Sequence, residues 1–126
     1  AAVLGHVWPI FHDFKGGKGA GTFVGTLLAL SPSLIIGLLL VWAWVLVVSG
    51  FVGLATMSAA IALPIYLGIA VLPDEQPIFI YTAVMAMLIV FWHRSNIQRM
   101  RGGTEHRNTG LMIFRRKDPG KGDVQP

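Results

Sequence analysis

Two polar blocks interrupt an otherwise apolar chain, and their residue types suit the binding of phosphate. The first runs Gly5-His6-Val7-Trp8-Pro9-Ile10-Phe11-His12-Asp13-Phe14-Lys15-Gly16-Gly17-Lys18-Gly19. The second is His93-Arg94-Ser95-Asn96-Ile97-Gln98-Arg99, followed by Gly102-Gly103-Thr104-Glu105. Lys15, Gly16, Gly17, Lys18 and Gly19 lead straight into an apolar helix. There the glycines let the backbone approach an anion, and the first helical turn offers free N–H groups and a favourable dipole. Lys15 and Lys18 add point charges. The segment is not a phosphate loop of the NTPase kind, which needs glycine where His12 stands, and no strand precedes it as a dinucleotide fingerprint requires.

In the second block His93 and Asn96 are spaced i, i+3 and share a helical face, with Gln98 and Arg99 on the next turn. Imidazole, carboxamide and guanidinium all donate to phosphate oxygens, so His93, Arg94 and Asn96 are candidates for gripping an anion. Glu105 is the one carboxylate between Glu75 and Asp118, and it suits orienting a lysine or arginine or binding a substrate hydroxyl. Thr56, near a short turn, is a candidate for one further hydroxyl. The competing reading of both blocks is a set of head-group anchors at the ends of membrane helices, where Lys, Arg and His snorkel. It applies most readily to Arg115, Arg116 and Lys117, and evenly to Arg99, Arg101 and Arg107. Metal is not indicated: neither His6 nor His12 has a second histidine three or four residues on, and cysteine is absent.

The elements that must position these residues are membrane helices. The chain has 126 residues, 54% hydrophobic and only 13% charged, with mean hydropathy +0.65. Soluble domains carry about a quarter charged residues. Apolar stretches cover about 34–48, 54–72 and 78–92, each near the ~20 residues that cross a bilayer as a helix. A shorter one covers about 19–30. No period of two is visible, which leaves helices as the structure able to satisfy its backbone in lipid. The expected fold is therefore all-α, a polytopic helical membrane protein with about four crossings. It forms one domain over 1–116, followed by a polar, disordered tail at 117–126. Breaks are expected at Ser31-Pro32-Ser33, at 49–53 and at 72–77, with a kink at Pro64.

Charge sets the orientation. Of ten Lys and Arg, eight lie between Arg94 and Lys121 and the others are Lys15 and Lys18. Basic residues favour the cytoplasmic side of short loops, whereas the loop holding Asp74 and Glu75 has none and belongs outside. Four crossings then bring Lys15–Lys18, the 49–53 turn and 93–101 to one cytoplasmic face. The two blocks, about 75 residues apart, meet there.

The pattern Gly-His-x-Trp-Pro-x-Phe…Phe-Lys-Gly-Gly-Lys-Gly-x-x-Thr, then His-Arg-x-Asn-Ile-x-Arg…Gly-Thr-Glu, resembles the PlsY family of bacterial acyl-phosphate:glycerol-3-phosphate acyltransferases. The resemblance implies acyl transfer from acyl phosphate to the 1-hydroxyl of sn-glycerol 3-phosphate, giving lysophosphatidic acid for phospholipid synthesis. It implies an inner-membrane, multi-pass enzyme with its site toward the cytoplasm and a possible partner enzyme supplying acyl phosphate. Beyond the substrates and the lipid bilayer it implies no cofactor and no nucleic acid. Residue by residue, Lys15 to Gly19 fall on its phosphate-binding motif, and His93, Arg94, Asn96 and Glu105 on its last. His93, Lys18 and Asn96 carry the catalytic expectation, with His93 or a substrate phosphate taking the proton. The family's middle motif usually carries two serines, and Gly53 and Thr56 stand there. A further family motif precedes the first residue here, so the chain reads as amino-terminally incomplete by roughly a third. The alternative function is a transporter or channel subunit for a phosphorylated small molecule, which needs polar residues at mid-membrane depth. None is charged from 34 to 72.

Overall fold

The computed structural model describes residues 2–7, 17–70, 74, 76–108, 110 and 112. Lys15, Gly16, the aromatic residues before them and the 117–126 segment lie outside these described residues. Six helices follow in order: α1 Ala2–Val7, α2 Ala20–Leu30, α3 Ser33–Ser49, α4 Val52–Ala70, α5 Gln76–Trp92 and α6 Arg94–Arg101. No strand occurs among the described residues.

The helix ends follow from local chemistry. Ser31 N–H closes α2 onto the Leu27 carbonyl at 2.8 Å, and Pro32 with φ −58° starts α3, where its missing N–H costs nothing. Gly50 ends α3 in the left-handed region at φ 74°, which glycine enters without the Cβ penalty. The expected turn is thus shorter than 49–53, because Gly53 lies inside α4. Pro64 does not divide α4, which runs on to Ala70.

α4 is the central element, packed against α3 on one side and α5 on the other. Its inward side is made of small or slender residues: Gly53, Ala55, Met57, Ala59, Ala60, Leu63 and Leu67 are buried. Small residues let helix backbones approach closely. The core joins Ala59, Ala60 and Leu63 to Phe23 and Leu27 of α2, Leu38 of α3, and Met85, Ala86 and Ile89 of α5. Thr26 and Tyr81 share a hydroxyl–hydroxyl hydrogen bond between α2 and α5. Large apolar side chains cover the outside, including Ile36, Leu40, Trp44, Ile69, Met87 and Phe91, each at least 55% exposed.

Among the described residues, one helix, α4, suffices by length and composition to cross a membrane; counting α5 with α6 as one span bent by 52° gives two. The sequence expectation of about four crossings therefore goes beyond what helix length supports. At 1.5 Å per residue, α3 with 17 residues reaches about 25 Å and α2 with 11 about 16 Å, short of ~30 Å of hydrocarbon.

Candidate functional site

One end of the bundle collects the polar residues. Gly19 stands at the start of α2 with φ 73°, a conformation that suits glycine and turns the chain so that Lys18 faces α6. Lys18 Nζ donates to Asn96 Oδ1, joining residues 78 apart in sequence. Asn96 Nδ2 donates to Glu105 Oε1 at 2.7 Å. Arg99 Nε donates to the other carboxylate oxygen, Oε2, at 2.6 Å. The carboxamide is thus held on both edges, its oxygen toward an ammonium and its amide toward a carboxylate.

The reason Asn96 fits so close to α4 is Gly53. A Cβ at Gly53 would stand 2.9 Å from Asn96 Nδ2 and 3.1 Å from its Cγ, inside ordinary contact distance. The lost hydroxyl expected from the sequence has a packing consequence: the position is occupied by the amide of α6. Asn96 itself is 7% exposed.

His93 does not lie within a helix that continues to Asn96. It occupies the break between α5 and α6, with φ −91° and ψ 9°, and it is buried. Its Nδ1 lies 2.8 Å from the Ile89 carbonyl oxygen. A carbonyl only accepts, so Nδ1 carries the hydrogen, and in the neutral ring Nε2 keeps its lone pair. The same bend turns α6 across the end of the bundle and presents Asn96 to Lys18.

Arg99 beside Glu105 holds that carboxyl below its ordinary value of 4.5, and the Asn96 amide and the charge of Lys18 act in the same direction. At neutral pH the group therefore contains one fixed anion facing Lys18 and Arg99.

The other candidates are placed as follows. Gly17 lies against α1: a Cβ there would collide with the imidazole of His6. His6, part of the first polar block in the sequence, is thus packed beside the glycine-lysine segment. Arg94 is exposed; it donates to the Phe91 carbonyl at 3.2 Å and stacks over the Phe91 ring at 4.6 Å. Thr56 donates to the Val52 carbonyl at 2.9 Å and accepts from Trp42 Nε1 at 3.3 Å. Among the described residues no three of His, Cys, Asp or Glu are grouped to hold a metal ion.

Thr56 and Trp42 also line a cavity of about 210 Å³ with Ala20, Gly21, Phe23, Leu38 and Ile89. It reaches the first residues of α2, directly after Lys18 and Gly19, so an apolar chamber adjoins the polar group. Sequence reasoning also missed Arg107, whose Nε donates to the Ser49 carbonyl at 3.0 Å. Nothing in its spacing separated it from the neighbouring cations.

The family model described as glycerol-3-phosphate acyltransferase matches residues 1–103. A relative so named from Aquifex aeolicus (strain VF5) is 39% identical over 107 residues, covering 85% of this chain and 55% of its own length. Two crystal structures of PlsY, an integral membrane glycerol 3-phosphate acyltransferase, superpose well. The lysophosphatidic acid form has TM-score 0.76 at 39% identity, covering 83% of this chain and 53% of that one. The glycerol 3-phosphate form has TM-score 0.75 at 39% identity, with 83% and 52% covered. The chain spans about half the length of these proteins, against the two thirds that the sequence reading implied. With its family model matched over most of its residues and its helices superposing on those structures, the chain belongs to the glycerol-3-phosphate acyltransferase family.

Proposed function

We propose that this site transfers an acyl group from acyl phosphate to the 1-hydroxyl of sn-glycerol 3-phosphate, giving lysophosphatidic acid. The observation that carries the reading is the Lys18–Asn96 contact, which unites two distant donor-rich segments beside an apolar cavity. The related PlsY structures are described with glycerol 3-phosphate and with lysophosphatidic acid, which supports the same substrate and product here.

Acyl phosphate is a mixed anhydride and already activated, so positioning and charge neutralisation suffice for catalysis. The hydroxyl oxygen attacks the acyl carbonyl carbon; the new ester bond forms as the acyl–oxygen bond to phosphate breaks, and phosphate leaves with the electron pair. Lys18 and Asn96, with Lys15, Gly16, Gly17 and Gly19 of the same motif and Arg94 of the last one, hold the two anions against their mutual repulsion. Two acceptors serve the hydroxyl proton: a substrate phosphate, and Nε2 of neutral His93. Thr56 lies in the cavity wall, where the acyl chain enters between helices.

The proposal includes the setting. The chain crosses the bacterial inner membrane about four times as one helical domain over 1–116, the site faces the cytoplasm, and a partner enzyme supplies acyl phosphate. The test is incubation of the chain in bilayer discs with acyl phosphate and labelled glycerol 3-phosphate, with acyl-CoA as control donor. Labelled lysophosphatidic acid from acyl phosphate alone is expected; absence of product from acyl phosphate overturns the activity.

A further inference from the structure

We infer that Arg107 is a positioning residue, pinning a strap that keeps Glu105 against Asn96. The inference rests on the proposed phosphate-binding role of Lys18 and Asn96. It concerns a segment beyond the 1–103 range that the family model matches.

After α6 the chain does not leave the bundle. Gly103, with φ 68°, reverses it, and the Thr104 N–H returns to the Arg99 carbonyl at 2.9 Å. The strap then runs to the α3–α4 turn. There the Asn108 N–H donates to the Gly50 carbonyl at 2.8 Å, and Arg107 Nε donates to the Ser49 carbonyl at 3.0 Å. The Arg107 guanidinium also stands 5.5 Å from the centre of the Phe51 ring. A cation on the last carbonyls of α3 is favoured by the helix dipole. Contact is close enough that a Cβ on Gly50 would lie 2.9 Å from both Arg107 Cγ and Met112 Sδ.

Glu105 sits between these two anchors. One anchor is the end of α6; the other is the turn that leads into Gly53, against which Asn96 packs. With both fastened, the carboxylate reaches Asn96 and Arg99 together. Released from Ser49 and Gly50, the strap swings as one unit from Gly103, and the Asn96 amide loses the partner that aims its oxygen at Lys18.

The test compares Arg107→Ala and Arg107→Lys in the wild-type and Glu105→Ala backgrounds, in bilayer discs. Arg107→Ala should raise the KM for glycerol 3-phosphate about fivefold with a smaller change in kcat. Arg107→Lys, which keeps a cation at the end of α3, should restore most of it. In the Glu105→Ala background the Arg107→Ala effect should fall below about twofold, because the strap then has nothing to aim. An equal effect in both backgrounds, or none in either, overturns the inference. Hydrogen exchange at the Glu105 and Asn108 amides reads the strap independently of turnover. If the wild-type chain neither turns over nor binds glycerol 3-phosphate, the proposed activity falls, and the exchange data decide the strap. Joint loss of protection in Arg107→Ala then supports it, and unchanged protection overturns it.

Discussion

Replacing Gly53 by alanine adds a single methyl group at a tightly packed point of the site. The new Cβ would stand 2.9 Å from Asn96 Nδ2, 3.1 Å from Cγ and 3.2 Å from Cβ. Ordinary carbon contacts begin near 3.5 Å, so the amide must retreat by roughly 0.5 Å. It cannot do so freely, because Lys18 holds its oxygen and Glu105 its nitrogen at 2.7 Å. Overpacking of this kind costs about 1–3 kcal/mol. If that cost falls on the oriented amide, kcat/KM for glycerol 3-phosphate drops between about fivefold and a hundredfold, at 1.4 kcal/mol per decade. Gly68→Ala is the matched control, since its Cβ meets only the far edge of the Phe79 ring, at 3.3 Å from Cε2, and should leave kcat/KM within about twofold. The assay is steady-state acyl transfer in bilayer discs, with thermal melting of both variants alongside. A folded Gly53→Ala protein with wild-type kcat/KM would refute the claim that this glycine exists to admit Asn96.

Lys18→Ala removes the cation nearest the amide, and should raise the KM for glycerol 3-phosphate and cut turnover at least about tenfold; unchanged kinetics would remove Lys18 from the site. Asn96→Asp keeps the shape but sets a second carboxylate against Glu105 at 2.7 Å, so activity at pH 7 should fall more than about tenfold. It should recover partly on acidification, as the pair takes up one proton; a pH-independent loss contradicts this. Glu105 titrates below its ordinary 4.5 when folded, so its stabilising contacts are complete above that value and are lost only as pH falls through the depressed one. The melting-temperature gap between wild type and Glu105→Gln should stay level from pH 7 to about 5 and close only under more acid conditions. Arg99→Gln should move that closing point upward.

Much of this end of the molecule was legible because polar residues are scarce in so apolar a chain. Lys18, Asn96 and Glu105 stand out in a chain with so little charge, and the structure brings their segments together. Ser31-Pro32 and Gly50 marked helix ends through dihedral demands that few residues meet. The parts that were not legible depend on three-dimensional proximity. The bend at His93 has no proline or glycine to announce it. Gly53 looked like a lost hydroxyl rather than a space, because the amide that fills the space is 43 residues away. Arg107 is one cation among several, and only the fold shows that it reaches the end of α3. Helix number was read from hydropathy, and the lengths of α2 and α3 do not by themselves confirm the crossings that their apolar runs suggest.

The most direct test of the Lys18–Asn96 partnership is the reactivity of the Lys18 amine toward an acylating reagent, read by mass spectrometry of the membrane-bound chain. Glycerol 3-phosphate should shield Lys18 in the wild type, and the shielding should vanish in Asn96→Leu. Labelling of Lys18 that ignores the ligand, or shielding that survives in Asn96→Leu, would show that the two residues do not grip one anion.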